Sequence, residues 1–338
     1  MSSHHISLKD LAEKLGVSAA TVSRALRNSP EVGAEMKRRI KALAQEMNYH
    51  PNPFAQSLRK ESTHLIGVIA PNQVTHFFAA VLDGIEDSAL QHGYFVIPAN
   101  SHESHLQEER AIDNFISLHV EGIISCIAQD TIDYSWYNKL YGMEIPVVFF
   151  ARTCLSDKFS QVVSDDTAAT YEATQHLIDQ GCRRIAFLGG PNHLDMARRR
   201  KHGYLEALKD AKMPVDRTLV INGNIDFAEA RESTLALLQK KDPPDAILAL
   251  NNILTFAAFD AIKSTQLHIP DDIAIMGFSD EEVATFVTPN VSVIKDQAHQ
   301  QGREAFELLL RHIEGDKNRY QKIVPMILKI RESSEKDK

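Results

Sequence analysis

The sequence lacks the long hydrophobic runs and leader signals of membrane and exported proteins. No apolar run in its 338 residues approaches the roughly 18–20 that a membrane-spanning helix needs. The opening segment, MSSHHISLKD, contains neither an apolar core nor a small-residue cleavage site, so we expect no signal peptide. With 43% hydrophobic and 24% charged residues, the composition is typical of a globular, cytoplasmic protein of two or three domains.

Cysteine is scarce as well. The three cysteines, Cys126, Cys154 and Cys182, are odd in number and far apart along the chain. This spacing argues against a disulfide framework and against a zinc cluster. Because free cysteine is among the most buried residue types, we expect three reduced thiols in the core.

The sequence motifs of common enzymes are also missing. No G-x-G-x-x-G follows a predicted strand, and G-x-x-x-x-G-K-[ST], G-x-S-x-G and H-E-x-x-H do not occur. The fifteen histidines are scattered, and pairs such as His102 and His105 are expected at the surface. We therefore predict no catalytic residue, no metal site and no cofactor.

Positive charge is concentrated at one end of the chain. Residues 1–60 contain ten Lys and Arg and five Asp and Glu, a net charge of +5. The remaining residues contain 27 basic and 40 acidic side chains, a net charge of −13. A basic head on an acidic body indicates a module that binds a polyanion, although a solvated basic helix face would give the same count.

The basic head contains signals for three helices. In SLKDLAEKL the apolar residues recur at i, i+3, i+4 and i+7, Ser7 and Asp10 can form a capping box, and Gly16 can end the helix. Ser18 is placed to cap a second helix, SAATVSRAL. A third helix follows, and its predicted apolar face comprises Ile40, Leu43, Ala44 and Met47.

Two short helices joined by a tight turn are typical of a helix-turn-helix, although other small three-helix domains share the pattern. The second helix presents short and basic side chains outward, as an approach to base edges requires. Ser18, Thr21 and Ser23 can donate to phosphate oxygens, and Arg24 can bind guanine through two hydrogen bonds. Ala19 and Ala20 can offer apolar contact to a thymine methyl.

The rest of the chain alternates short apolar strands with helical segments. One set of strands runs through HLIGVIAP, YFVIPA, GIISCI and IPVVFFA, and a second runs through RRIAFLGG, TLVING, DAILAL and DIAIMGF. Continuous apolar strands between helices predict parallel sheets covered on both faces. We therefore predict two doubly wound α/β lobes with a ligand cleft at the carboxyl ends of their strands.

These patterns together resemble the lactose/galactose repressor (LacI/GalR) family. In the head, the family pattern GVS-x-x-TVSR-x-L matches GVSAATVSRAL, and LNY-x-PN-x-x-A-x-x-L matches MNYHPNPFAQSL. In the body, HLIDQGCRRIAFLGGP, RRRKHGYLEAL, PDAILALNN and IPDDIAIMGFSD each match a family block, so the resemblance covers nearly the whole chain. The resemblance implies a helix-turn-helix head and a periplasmic-binding-protein-like body.

The resemblance divides the chain into three parts. Residues 1–50 correspond to the DNA-binding domain, 51–62 to a hinge helix and 63–338 to an effector-binding and dimerisation domain. In the body, lobe 1 is expected at about 63–162 plus 293–323, and lobe 2 at about 163–292 plus 324–338. The chain is expected to cross between the lobes near Val162–Asp165, Pro289–Ile294 and Ile323–Pro325.

Candidate DNA contacts follow by position from the same resemblance. A helix as short as the predicted hinge is unstable alone, so it should fold only on DNA. Leu58 matches the leucine that the family wedges into the minor groove, where an apolar side chain unstacks a base step. The full set of candidates is Ser18, Ala19, Ala20, Thr21, Ser23, Arg24, Tyr49, Asn52, Ala55, Leu58 and Arg59.

Candidate effector contacts are carried over in the same way. Arg200 matches the family's effector-binding arginine, whose planar fork can hold two hydroxyls or a carboxylate. The full set is His76, Phe77, Phe78, Arg200, Ile225, Asn251 and Ser279. Where the family has a carboxylate this chain has Ser279, and where it has an aromatic platform this chain has Ile225. With carboxylates lost and Arg200 retained, an anionic effector such as a sugar acid or a phosphorylated sugar is favoured.

The resemblance and the charge pattern predict a cytoplasmic transcriptional repressor of carbohydrate-utilisation genes. Its expected partners are a palindromic double-stranded DNA operator, a small carbohydrate-derived effector and a second copy of the chain, because one recognition helix reads one half-site. A related regulator whose cleft responds to a non-sugar ligand, to a protein partner or to no ligand is the alternative. The basic head and the absence of a signal sequence disfavour a secreted solute-binding protein.

Overall fold

The protein combines a helical head with a larger α/β body, which confirms the predicted fold class. A computed structural model describes residues 6–26, 28–47, 49, 62–279 and 282–336. The chain divides into two compact units between Thr63 and His64. Within the described residues, every helix is too short or too polar to cross a membrane.

Three short helices form the head: α1 (Leu8–Leu15), α2 (Ala19–Leu26) and α3 (Ala34–Glu46). The predicted capping box is present, because the Ser7 hydroxyl accepts from the Asp10 N–H and the Asp10 carboxylate accepts from the Ser7 N–H. Gly16 ends α1 with φ of 63°, a left-handed conformation that glycine adopts without strain. The head has its own core of Leu11, Ala12, Val22, Ala25, Val32, Ile40 and Ala44.

Lobe 1 is built on a six-stranded, fully parallel sheet in the order β11-β5-β4-β3-β1-β2. Its strands are β1 (Leu65–Ala70), β2 (Phe95–Asn100), β3 (Gly122–Ser125), β4 (Val147–Phe150), β5 (Ser160–Ser164) and β11 (Gln321–Val324). Its helices are α4 (His76–Gln91), α5 (His105–Ser117), α6 (Ser135–Gly142) and α11 (Ala298–Ile313).

Lobe 2 has the same design, with strand order β12-β10-β9-β8-β6-β7. Its strands are β6 (Ile185–Gly189), β7 (Val220–Asn222), β8 (Ala246–Ala249), β9 (Ala274–Phe278), β10 (Ser292–Lys295) and β12 (Ile327–Lys329). Its helices are α7 (Asp166–Asp179), α8 (Asp195–Asp210), α9 (Phe227–Leu238) and α10 (Asn252–Lys263). All strands pair in parallel except the edge strand β12, which runs antiparallel to β10.

The chain passes between the lobes three times. The first passage follows β5 and the third lies between β11 and β12, close to the predicted positions. The second lies between β10 and α11, at residues 296–297, and not near Pro289–Ile294 as the sequence indicated. Strand β10 explains the difference, because it completes the sheet of lobe 2 before the chain leaves for lobe 1.

The three cysteines are buried and free, as the sequence predicted. Burial raises the pKa of the Cys126 thiol to about 12 and that of Cys182 to about 11. Burial also raises the pKa of Cys154. Because the thiolate is the reactive form, these side chains are inert core fillers at neutral pH.

Candidate functional site

A cleft lies between the two lobes at the carboxyl ends of their strands, where doubly wound sheets bind ligands. It encloses about 740 Å³ of space, its open mouth included. The residues that line it are Asn72, Thr75, Phe77, Phe78, Glu103, Ala151, Arg152, Ser164, Asp166, Met196, Arg200, Asn251, Asn252, Ile253, Phe278, Ser279 and Asp296.

Arg200 occupies the lobe 2 wall of this cleft and is held from several sides. Its Nε–H donates to Asp166 Oδ1 at 2.8 Å, and an Nη1–H donates to the Leu250 carbonyl. Its guanidinium carbon lies 3.5 Å from the centre of the Phe278 ring, a close cation–π contact. Arg199 donates to the other oxygen of Asp166 at 2.8 and 3.0 Å, so two guanidiniums share one buried carboxylate.

A second arginine, Arg152, lies on the lobe 1 side. It is only 5% exposed and forms a two-bond ion pair with Glu103, with distances of 2.7 and 3.0 Å. The preceding Ala151 has φ of 53°, in the left-handed region that residues with a Cβ rarely adopt. A strained backbone at a cleft is a feature of functional sites, and here it directly precedes the arginine.

Asp296 lies where the chain passes from β10 to α11. Its Oδ1 accepts from the Ser164 hydroxyl at 3.0 Å, and Gln301 donates to the same hydroxyl at 2.8 Å. Its Oδ2 lies 3.9 Å from Arg200 Nη2. Ser164 ends β5 at the first passage, and Asp296 itself lies at the second. The Asp296 carboxylate therefore connects these two passages to Arg200 on the cleft wall.

The expected loss of carboxylates from the cleft is wrong. Ser279 does stand where the family has an acid, but Glu103, Asp166 and Asp296 all line the cleft. Three carboxylates therefore face two guanidiniums, those of Arg152 and Arg200, and both guanidiniums are already paired. Arg200, the cation expected to bind an anionic effector, is already paired with Asp166, so an anionic effector is no longer favoured.

Five of the seven predicted effector residues come together on the cleft, namely Phe77, Phe78, Arg200, Asn251 and Ser279. Asn251 caps α10 through its Oδ1, which accepts from the Leu254 N–H at 3.0 Å. The group that Asn251 can offer a ligand is therefore its Nδ2 donor. That these five contact an effector remains a prediction.

The other two predicted effector residues do not line the cleft. His76 begins α4 and is exposed, because successive helical residues point about 100° apart and the next two face the cleft. Ile225 is buried, and its side chain packs close to Gly190 and Leu250. Its main-chain N–H instead donates to Gln129 Oε1 of lobe 1 at 2.9 Å.

Four charged cleft residues were not predicted from the sequence: Glu103, Arg152, Asp166 and Asp296. Each stands within three residues of the carboxyl end of a strand, namely β2, β4, β5 and β10. Charged residues at that position were the signal that could have identified them, because parallel strands end at the cleft.

In the head, α2 presents the predicted recognition residues at the surface. Ala20 and Arg24 are exposed, whereas Ala19, Thr21 and Ser23 are half-buried. The Ser18 hydroxyl accepts from the Thr21 N–H at 3.1 Å and so caps the helix as expected. Val22 and Ala25 point into the head core, so the opposite face of α2 can approach another molecule.

Arg24 and Tyr49 are both in a state that suits nucleic-acid contact. Arg24 pairs with Glu31 at 3.2 Å, and both side chains are more than half exposed. An exposed pair of this kind contributes about 0–1 kcal/mol, so Arg24 can exchange it for a base at little cost. Tyr49 is half-buried, and burial raises the pKa of its hydroxyl. The predicted hinge residues Asn52, Ala55, Leu58 and Arg59 lie outside the described residues.

Away from the cleft, the described residues bring one set of possible metal ligands together. Asp83, Asp87 and His299 are exposed, and their ligand atoms lie within 4.8 Å of one another. His299 Nε2 lies 3.0 Å from Asp87 and 3.7 Å from Asp83. A surface ion pair accounts for this arrangement, and we assign no metal to it.

Comparison with known proteins covers both parts of the chain. Residues 7–52 match the bacterial regulatory proteins of the lacI family, and residues 174–334 match a periplasmic binding protein-like domain. The ribose operon repressor of Bacillus subtilis (strain 168) is 34% identical over 303 residues, which cover 90% of each chain.

Solved structures match the same two parts. The transcriptional regulator CelR in complex with cellobiose superposes with a TM-score of 0.75 at 26% identity. The Lac repressor bound to ONPG in its repressed state superposes with a TM-score of 0.84 at 25% identity. Each alignment covers 97% of this chain and 99% of the other.

Proposed function

The chain belongs to the LacI family of bacterial regulatory proteins, and on that premise we propose that it is an effector-controlled transcriptional repressor. Its head binds an operator, and the cleft between its lobes binds a small carbohydrate-derived molecule that sets operator affinity. The observation that carries the proposal is a helix-turn-helix head on the same chain as a charged, two-lobed cleft. It works in the cytoplasm as a homodimer, and its chemistry is binding without catalysis.

The head supports sequence-specific recognition through α2. Short side chains at Ala19 and Ala20 let the helix backbone approach the major groove, and Arg24 supplies a forked donor for guanine. Ser18, Thr21, Ser23 and Tyr49 supply hydroxyls for phosphate oxygens. Two-fold symmetry of the homodimer places two such helices on a palindromic operator.

The cleft supports a neutral, polyhydroxylated effector more than an anionic one. Both guanidiniums that line the cleft, those of Arg152 and Arg200, are already paired with its carboxylates, so an anionic effector would have to compete with Glu103 and Asp166 for them. Sugar hydroxyls can donate to Asp296 and Glu103 and accept from Asn251 and Arg152, whereas the aromatic rings can cover the apolar face of a sugar. The cellobiose complex of CelR and the name of the ribose operon repressor agree with this class of ligand.

A paired measurement tests this function. Purified protein is used to select DNA fragments from its own genome, and neutral sugars, sugar acids and sugar phosphates are screened by thermal shift, since a ligand of the folded state raises its stability. We expect a palindromic operator and a neutral sugar that changes operator affinity. Enrichment of no sequence would overturn the repressor assignment. Stabilisation by sugar acids alone would overturn the neutral effector.

A further inference from the structure

Gln129 connects the two lobes at a place away from the chain passages. It follows β3 of lobe 1, yet its side-chain Oε1 accepts from the Ile225 N–H of lobe 2 at 2.9 Å. Its carbonyl accepts from His193 Nε2, also of lobe 2, at 2.6 Å. Its own N–H donates to Glu103 Oε2 at 2.8 Å. One residue therefore bonds to both lobes through three different groups.

These bonds lie far from the axis about which the lobes are joined. The first passage follows β5 of lobe 1, and the second follows β10 of lobe 2. Gln129 instead follows β3, and Ile225 follows β7, which is the edge strand of lobe 2 on the side away from β10. Strand β3 lies two strand spacings from β5 and β7 lies four from β10, roughly 10 and 19 Å at about 4.8 Å per spacing, so the bond lies away from the joint in both lobes. A hydrogen bond at that distance from the joint opposes lobe opening with more leverage than one beside it.

The loop that carries Gln129 is held rigidly by the start of α5. Glu108 is buried, and its Oε2 accepts from the Ala128 N–H at 2.7 Å and from the Thr131 hydroxyl at 3.2 Å. The His105 N–H donates to Asp130 Oδ1 at 2.7 Å. Bonds at Ala128, Asp130 and Thr131 fix the loop on both sides of Gln129, so its side chain is preorganised toward lobe 2.

The same residue is also joined directly to the cleft. Glu103 Oε2 accepts both the Gln129 N–H and an Arg152 Nη1–H, at 2.8 and 2.7 Å. Glu103 and Arg152 line the cleft, whereas Gln129 does not. A ligand hydroxyl that bonds to Arg152 or Glu103 therefore changes the hydrogen bonding of Glu103 Oε2. This is the atom that holds the Gln129 main chain in position.

We propose that Gln129 is a positioning residue that clasps the two lobes and relays the state of the Glu103–Arg152 pair to lobe closure. The proposal rests on the proposed function, since it names the element through which the cleft controls the lobes. The two hydrogen bonds that join Gln129 to His193 and Ile225 of lobe 2 stabilise the closed lobes. A ligand in the cleft changes these bonds through its effect on Glu103.

Hydrogen exchange of the Ile225 main-chain amide tests the clasp without an effector. The full-length protein and its variants are compared by mass spectrometry with fragmentation to single-residue resolution. In Gln129→Ala the Ile225 amide loses its acceptor, and we expect its exchange to accelerate roughly tenfold or more. Gln129→Glu keeps an acceptor oxygen and should restore protection. The matched control Gln175→Ala, which removes a side-chain bond to Asp179 within α7, should leave the Ile225 amide at its parental rate.

The relay is tested at a residue that does not touch lobe 2. We expect Arg152→Ala to accelerate Ile225 exchange, because Glu103 then loses the partner that fixes it under Gln129. Parental exchange in Gln129→Ala would overturn the clasp, and parental exchange in Arg152→Ala alone would overturn the relay. Operator selection uses the parent protein and does not depend on either exchange result. A failure of the proposed function is therefore distinguishable from a failure of the clasp or of the relay.

Discussion

Two buried carboxylates, Asp166 in the cleft and Glu108 in lobe 1, have different hydrogen-bond donors. In the cleft, Asp166 is 1% exposed but accepts three N–H groups from Arg199 and Arg200, so its charge is fully compensated. Glu108, at the start of α5, is 2% exposed and accepts from a main-chain amide and from the hydroxyls of Thr131 and Tyr137, all of them neutral donors. A buried carboxylate without a cation favours its neutral form.

Glu108 should make lobe 1 less stable as the pH rises toward neutrality. Burial raises its pKa to about 7, against 4.5 for an unperturbed carboxyl, so the folded state holds the proton more tightly than the unfolded state. Stability from this group is complete below about 4.5 and is lost as the pH rises to about 7. In Glu108→Gln this loss is absent, so the variant should gain up to about 3 kcal/mol over the parent between pH 4.5 and 7.5, at about 1.4 kcal/mol per pKa unit.

Urea denaturation across that pH range measures the difference in unfolding free energy. Glu86→Gln, which removes an exposed carboxylate from α4, is the matched control. A difference between Glu108→Gln and the parent that is constant with pH, or that falls, contradicts the assignment.

Arg24 should determine base preference more than overall affinity. Replacing Arg24 with Ala removes a forked donor, so specific operator binding should weaken by about 1–3 kcal/mol while non-specific binding changes less. Fluorescence anisotropy at fixed salt, on the operator and on scrambled DNA, measures the two affinities. Arg38→Ala removes a similarly exposed, ion-paired arginine from α3 and is the matched control. An equal loss of base preference in both variants would show that α2 is not the reading helix.

At the scale of elements, the sequence predicted what depends on local pattern. Helix α1, its capping box and Gly16 follow from neighbouring residues, and the strands β1–β4 and β6–β9 follow from continuous hydrophobic runs. The strands β5, β10, β11 and β12 were not predicted. The second passage between the lobes was misplaced, because β10 joins the sheet of lobe 2 by pairing with β9, and the local pattern of β10 does not reveal that pairing. The cleft acids were missed for the same reason, since their proximity is created by the folded sheets.

Helices α4 and α11 pack closely because each has a glycine at their contact. The hydrophobic periodicity of the two helices does not reveal this contact. A Cβ at Gly84 would lie 2.1 Å from the His299 carbonyl oxygen, and a Cβ at Gly302 would lie 2.0 Å from that of Val81. The two backbones therefore touch at both glycines. This close crossing fixes α4, whose first turn carries Phe77 and Phe78 at the cleft.

Gly84→Ala should therefore destabilise lobe 1 by about 1–3 kcal/mol, because the helices must separate to admit the methyl group. Helix propensity acts in the opposite direction by roughly 1 kcal/mol and is outweighed. The control is Gly142→Ala at the end of α6, where a Cβ would meet nothing within 4 Å. Thermal denaturation of both variants checks the prediction. If Gly84→Ala melts at or above Gly142→Ala, the close crossing is not rigid.

At the scale of the whole molecule, two binding sites lie on one chain in parts that can be altered separately. The cleft is built entirely from residues between Asn72 and Asp296, whereas the candidate DNA contacts all precede residue 60. Coupling between the sites is a single free energy: a ligand that changes operator affinity by some factor must have its own affinity changed by the operator to the same extent. The predicted hinge joins the two parts along the chain, so we expect the coupling to pass through it.

Leu58→Ala should therefore separate operator affinity from effector affinity. The loss of an apolar wedge removes the energy that favours a bent operator, so specific binding should weaken while the DNA-free protein binds its effector as before. The operator-induced change in effector affinity should shrink, because the variant no longer gains as much from folding its hinge on DNA. Titration of the effector into free and operator-bound protein measures both quantities. Weakened effector binding by the DNA-free variant would mean that Leu58 supports the body and is not a wedge.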